Sequence, residues 1–341
     1  MVKISNIEIV DTEIGPDRTY IIAEISGSHA GSLSKMKKLI EAASRSGADA
    51  VKVQKFYADD LVVKDYEYYE ILKDLEFNDS DWSKIISFAE ISKIPILVDV
   101  FDLDSVNFLN NLGVAGFKVH TTDINNLELI KNVAVTGKPL FLSVGASNLN
   151  EIELARNTIF NYHRNLVLMY GFQSYPTPVE EAKLPFIQIL KENFDLNIGF
   201  SDHSPGGSIE GFSVPLISAA LGASVIEKHI TLNRALKDPD YQSALNPDEF
   251  KDFVEILRRI EQGLKYSGFE ISDKEVDYAE TVKRRIVAKK HINKGQKIRQ
   301  SDLCFKRAQK GMFINSLKMV IGQRSRMELN SDDPITEEVL I

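Results

Sequence analysis

The feature that most constrains this chain is a rhythm of short apolar runs and longer segments of helical spacing. Eight runs read as strands, at 20–25, 50–54, 96–100, 116–119, 140–144, 166–170, 197–200 and 224–228. Eight helix candidates lie between and after them, at 33–46, 81–92, 104–112, 126–135, 149–162, 180–193, 208–221 and 247–263. Such alternation demands parallel strands joined by crossovers. Eight of each predicts an α/β fold, a closed (β/α)8 (TIM) barrel rather than an open doubly wound sheet. Ahead of it, residues 3–10 alternate apolar and polar and reach a turn at Gly15-Pro16, which predicts a β-hairpin.

After Tyr266 the rhythm stops. Residues 265–283 are polar and charged and read as a linker; short β-like pieces follow at 285–288, 296–298 and 303–306. The expected organisation is a catalytic barrel over 1–264, a linker over 265–283 and a small β-rich domain over 284–341.

Composition narrows the function. With 41 Lys and Arg against 49 Asp and Glu, the net charge is −8, and no basic block is present. Nucleic acid is therefore not the expected partner, whereas a small anion needs only a local cluster of cations. No apolar run approaches the roughly 18–20 residues of a membrane span. The first residues lack a basic start followed by an apolar block, and the lone cysteine, Cys304, forms no disulfide framework. The expected location is the cytoplasm.

Polar residues cluster where the strands end. Glu24 closes the first; Lys52 and Gln54 the second; Asp99 the third; Lys118 and Thr121 the fourth; Ser143 the fifth. Gln173 and Tyr175 follow the sixth, Ser201 and His203 the seventh, Glu227 and His229 the eighth. In a (β/α)8 barrel these ends form the active-site rim. His203 and His229 close neighbouring strands, about 4.8 Å apart, and are metal-ligand candidates; the alternative is two hydrogen-bonded loop histidines. Lys52 and Lys118 would repel one another unless an anion neutralises them, so they read as an anion clamp, or else as lysines snorkelling into a wet mouth. Ser143 and Ser201 add hydroxyl donors. Glu24 is either a charge-balancing residue or a general acid/base. The loop Ser204-Pro205-Gly206-Gly207 lacks the Lys-Ser/Thr finish of a P-loop and reads as a plain turn.

These motifs resemble the sialic acid (N-acetylneuraminate/nonulosonate) synthase family. The matching runs are IIAEISGSHAG (21–31), ADAVKVQKF (48–56), KPLFLSVG (138–145), SYPTPV (174–179), IGFSDHS (198–204) and LGASVIEKHITL (221–232). The tail RIVAKKHINKGQKIRQSDLCFKR (285–307) resembles that family's antifreeze-like (SAF) domain. The resemblance implies a transferase of the 2.5.1 class. It would condense an N-acetylmannosamine-type aldehyde with phosphoenolpyruvate (PEP) and water, giving a nonulosonic acid and phosphate. It also implies a divalent ion on His203 and His229, most often Mn2+, with Mg2+ or Co2+ as alternatives. Lys52, Lys118, Ser143 and Ser201 would hold PEP; Glu24, Gln54, Tyr175 and Asp240 would contact the sugar or move protons, Asp240 being counted with Glu24, Lys52 and Lys118 as catalytic. Phe101, Thr121, Asp123 and Gln173 are further substrate-binding candidates. In a domain-swapped homodimer Arg307 would enter the partner's site.

The chain departs from the family pattern around the sugar pocket. VDVFD (98–102) places Asp99 where a Thr is usual; Gln173 and Ser28 replace Asn; Ala308-Gln309 follow Arg307; the loop 57–80 is short and rich in Asp, Glu and Tyr. Two other readings follow: a PEP aldol synthase with a different sugar acceptor, which would need a further cationic cluster, and a non-catalytic sugar-binding barrel.

Overall fold

The computed structural model describes residues 6–265 and 268–341. The chain divides into two compact units, Met1–Lys265 and Tyr266–Ile341.

In the first unit a hairpin, β1 (Ile7–Ile9) and β2 (Thr12–Ile14), precedes eight parallel strands that close into a barrel. They are β3 (Tyr20–Glu24), β4 (Ala50–Lys55), β5 (Ile96–Val100), β6 (Gly116–Val119), β7 (Leu140–Ser143), β8 (Leu166–Tyr170), β9 (Asn197–Asp202) and β10 (Val225–His229). Closure comes from β10 pairing with β3, His229 lying opposite Glu24. The hairpin turns at Val10-Asp11, where Val10 adopts a left-handed φ of 55°, and a second tight turn, closed by an antiparallel bridge from Gly15 to Arg18, falls at the expected Gly15-Pro16. The expected hairpin residues 3–5 lie outside the described residues.

Both faces of the barrel strands are buried, which is why they read as near-continuous apolar runs. One alternate set, including Val51, Val53, Val98, Val119 and Leu142, packs outward against the helices. The other points inward. Tyr20, Ile22, Ala50, Leu97, Phe141, Val167, Met169 and Val225 form an apolar floor, sealed by Ile7, Ile9 and Ile14 of the hairpin. Above the floor, the same strands carry polar residues at the next inward positions.

The helices follow from capping and spacing. Leu33–Arg45 is capped by Ser32, which accepts from the Lys35 amide, and buries Met36, Leu39, Ile40 and Ala43 along one stripe. Pro247–Leu264 starts from Asn246 with Pro247 in its first turn and buries Phe250, Phe253, Val254 and Leu257. Each such side chain contributes about 1.5–3 kcal/mol. The helix expected from residue 180 begins instead at Phe186, after a separate 3-10 turn at Val179–Glu181. Pro185 has no amide proton and disfavours helix at Leu184, so the two cannot fuse. Short helices Ala58–Leu61 and Tyr69–Leu75 lie within the loop after β4.

In the second unit, the segment expected to be a linker holds a helix, Asp273–Val282, secured by a reciprocal capping box between Ser272 and Glu275; residues 266 and 267 of that segment lie outside the described residues. β11 (Arg285–Ala288) pairs antiparallel with β12 (Leu303–Lys306) around a core of Ile286, Ile292, Ile298, Val320, Leu329 and Ile335. The piece at 296–298 forms an isolated bridge, Lys297 to Arg324, instead of a strand.

Candidate active site

The inward polar residues meet at the C-terminal mouth of the barrel. A cavity of about 220 Å³ is lined by Glu24, Lys52, Gln54, Lys118, Ser143, Gln173, Tyr175, Ser201, His203, His229 and Asp240. Ser26, His120 and Glu227 complete its wall. Strand register explains the meeting: Glu24 lies beside Lys52 on one side and His229 on the other, and Asp99 beside both Gln54 and Lys118.

The two lysines are neutralised by the protein itself. The Lys52 ammonium lies 2.8 Å from Glu24, 2.6 Å from Asp99 and 3.5 Å from Glu227. Lys118 donates to both oxygens of Glu227, at 2.7 and 2.9 Å. All five side chains are buried. Two ammonium groups thus face three carboxylates, in a low-dielectric setting where separation of the pairs is costly. Burial pushes Glu227 up, but Lys118 and Lys52 outweigh it and hold its carboxyl well below the usual range. Asp99 behaves alike: Lys52 and Lys118 overcome the effect of burial. Burial pulls Lys118 down, yet Glu227 and Asp99 lift it above an ordinary lysine. For Lys52 the balance runs the other way: burial pulls it down and outweighs the lift from Asp99 and Glu227.

The histidines stand across the mouth, with ring centroids 5.5 Å apart. The Tyr175 ring packs 4.2 Å from His203 and 6.0 Å from His229. His203 Nδ1 lies 2.8 Å from the Phe172 carbonyl oxygen, which leaves Nε2 for another partner. The His203 carbonyl accepts from the Thr177 amide and the Ser243 hydroxyl, each at 2.8 Å, so its backbone is held from two sides. Burial lowers both imidazoles, His229 to about 3. Neutral imidazole is the form that binds a metal. The buried Nδ1 of His229 has no hydrogen-bond partner in the described structure, nor do Ser201 Oγ and one Asp99 oxygen. Unpartnered buried polar atoms of this kind fit a site that receives an ion and an anion. Among the described residues no three His, Cys, Asp or Glu side chains surround one point. The imidazole pair would be the protein's share of the donors to an ion, with the other coordination positions left to water and substrate.

Ser26 Oγ donates to Asp240 at 2.6 Å, and both residues adopt left-handed backbone, φ 44° and 64°. Such conformations are costly outside glycine and are retained where the surroundings enforce them. Gly171 marks a close approach of strand ends: a Cβ there would lie 2.6 Å from the Ser201 carbonyl oxygen.

Not every candidate lines this cavity. Phe101 and Asp123 line a larger, adjoining one together with Gln54 and Asp240. The Thr121 hydroxyl is turned to the Gly145 carbonyl and lines neither. Arg307 belongs to the C-terminal unit. Glu227 and His120, neither among the expected site residues, both sit on the inward alternation that carries Lys118 and His229.

A family model described as the NeuB family matches residues 39–268, two thirds of the chain. The chain belongs to the NeuB family. A model of the SAF domain matches residues 283–340. Among relatives of this NeuB-family chain is the N,N'-diacetyllegionaminic acid synthase of Legionella pneumophila, 33% identical over 331 residues, 92% of each chain. The synthase of the same name from Campylobacter jejuni is 33% identical over 337 residues, 94% of this chain and 99% of that one. The crystal structure of an N-acetylneuraminic acid (sialic acid) synthetase from Leptospira borgpetersenii in complex with citrate superposes with a TM-score of 0.76 at 28% identity, covering 82% of this chain and 98% of the other. No helix among the described residues is long and apolar enough to cross a membrane.

Proposed function

We propose that this NeuB-family barrel condenses an amino-sugar aldehyde with PEP and water to give a nonulosonic acid and phosphate. The observation that carries the reading is the opposition, within one mouth, of the His203–His229 pair and the Lys52–Lys118 pair.

PEP carries up to three negative charges and needs cations. Lys52 and Lys118 supply them, with Ser143 and Ser201 as hydroxyl donors; the unpartnered Ser201 Oγ is free to donate. Glu227 and Asp99 favour the charged Lys118 before the anion arrives, and Glu24, Asp99 and Glu227 hold the Lys52 side chain in place. A divalent ion on His203 and His229, most simply Mn2+, supplies Lewis-acid polarisation of the aldehyde and offsets the carboxylate excess. PEP C3 bonds to the aldehyde carbon, water oxygen adds to C2, and the C2–O bond to phosphate breaks. One water proton ends on the new hydroxyl and the other on the phosphate. Glu24, buried beside Lys52, is the proposed carrier of a proton in this sequence. Asp240, fixed by Ser26, together with Gln54, Gln173 and Tyr175, orients the sugar. By family resemblance, the chain acts as a cytoplasmic homodimer whose exchanged tail brings Arg307 to the partner's sugar.

The test is phosphate release from PEP. It is expected only with an amino sugar and a divalent ion together, to be lost in EDTA and to be restored by Mn2+. His203→Ala is expected to abolish both turnover and Mn2+ binding measured by calorimetry. Undiminished turnover in EDTA would overturn the reading.

A further inference from the structure

Most outward-facing positions of the barrel strands are apolar and pack on the helices. Asp202 and Lys228 depart from this. Asp202 ends β9, Lys228 lies directly opposite it on β10, and the ammonium nitrogen is 2.5 Å from a carboxylate oxygen. Both residues are buried. Among the described residues this is the one ion pair that joins two barrel strands on their outward side. Neither residue lines the mouth cavity. We infer that the pair is a positioning device: it fixes the spacing of His203 and His229 and, through that spacing, the affinity for the divalent ion. This rests on the proposed function, in which those two imidazoles hold the ion.

Placement argues first. Asp202 immediately precedes His203, and Lys228 immediately precedes His229. Successive strand residues point to opposite faces, so the ion pair outside the barrel backs the imidazole pair inside it. The ladder between β9 and β10 runs from Gly199 opposite Val225 to Asp202 opposite Lys228 and stops there. His229 is still paired on its other side, with Glu24 of β3. His203 lies one residue past the end of β9, and the register with β10 does not reach it. The ion pair therefore braces the last rung before the ligands.

Ser204, on the far side of His203, closes the link. Its Oγ lies 2.8 Å from each Asp202 carboxylate oxygen, and its amide donates to one of them at 3.3 Å. Its carbonyl accepts from Lys228 at 3.3 Å. The chain on both sides of His203 is thus tied to the residue beside His229. Stability alone does not call for this arrangement, because apolar side chains of similar volume serve as well as a buried ion pair, or better. Binding does call for it. Two imidazoles are few donors, so their hold on an ion depends on a separation set beforehand, and groups that orient ligands are worth about 10–100-fold in metal affinity.

The experiment measures Mn2+ binding to the full chain by calorimetry, without substrates, beside the urea midpoint. Asp202→Asn and Lys228→Met are each expected to weaken Mn2+ binding by about 10–100-fold and to lower the midpoint. The double variant Asp202→Leu/Lys228→Met removes both charges together. Its midpoint is expected to return towards that of the wild type, while Mn2+ binding stays weakened. Phe141→Ala, destabilised in the apolar floor, is expected to bind Mn2+ as the wild type does. Recovery of Mn2+ affinity along with the midpoint in the double variant, or an equal loss of affinity in Phe141→Ala, overturns the inference and leaves the proposed condensation standing. A wild-type chain that binds no Mn2+ overturns both.

Discussion

The floor and the mouth of the barrel are built from the same strands, one inward step apart, and differ in almost every other respect. Ile22, Leu97, Phe141 and Val225 close the bottom as an apolar layer; Glu24, Asp99, Ser143 and Glu227, two residues further on, belong to the polar layer that carries the charges. Geometry is shared, so the contrast isolates composition. The floor stabilises by exclusion of water and close packing. The mouth holds five buried charges whose pairing at best offsets their desolvation. A fold seeking stability alone would continue the floor upward. The charged layer exists for what it binds.

The largest effect is expected in the mouth. Lys118→Met keeps the bulk and deletes the charge; condensation is expected to fall by about 10²–10³-fold, the scale for loss of one preorganised electrostatic contact. The same variant leaves Glu227 short of its partner and is expected to lose about 3–5 kcal/mol in urea denaturation. Near-normal turnover with intact stability would break the distinction between layers.

Phe141→Ala tests the floor. A cavity there is expected to cost about 3–5 kcal/mol, with kcat changed less than tenfold wherever the protein remains folded. A loss of turnover that outruns the loss of folded protein would show that the layers are not separable.

Asp99→Asn lies between the two. Lys52 keeps Glu24 and Glu227, so a penalty of about 1–3 kcal/mol is expected at pH 7. Because the Asp99 carboxyl is depressed in the folded state, its contribution is present above the unfolded value of about 3.9 and is lost as pH falls through the lower folded value. The wild-type advantage, followed by denaturant midpoint, is therefore expected to be flat from about pH 5 to 8 and to shrink below about 4. A decline already at pH 6 would contradict the ion pairing.

The smallest effect belongs outside both layers. Ser272→Ala removes the capping box of helix Asp273–Val282 and is expected to cost about 1 kcal/mol in the C-terminal unit, with barrel unfolding unchanged.

The barrel was legible because strands buried on both faces announce themselves as apolar runs, and because Lys52, Lys118, His203 and His229 interrupt those runs at the same end. The charge balance was less legible. Two lysines read alone suggest an open anion clamp; only the inward parity, Lys118 with His120 and Glu227 with His229, brings in the carboxylates that already neutralise them. Helix Asp273–Val282 escaped because its sequence is polar nearly throughout, and its start is written in the Ser272–Glu275 pair rather than in an apolar stripe. The short helices after β4 escaped because four and seven residues are too few for a period to show.

The closing contact between Tyr20–Glu24 and Val225–His229 has a consequence for biosynthesis. The first barrel strand to leave the ribosome pairs with the last. Until His229 has emerged, β3 has an unpaired edge and the Glu24 carboxylate lacks its His229 neighbour. Nascent chains stalled anywhere in the barrel are expected to expose strand edges, and so to engage holdase chaperones, until the eighth strand arrives.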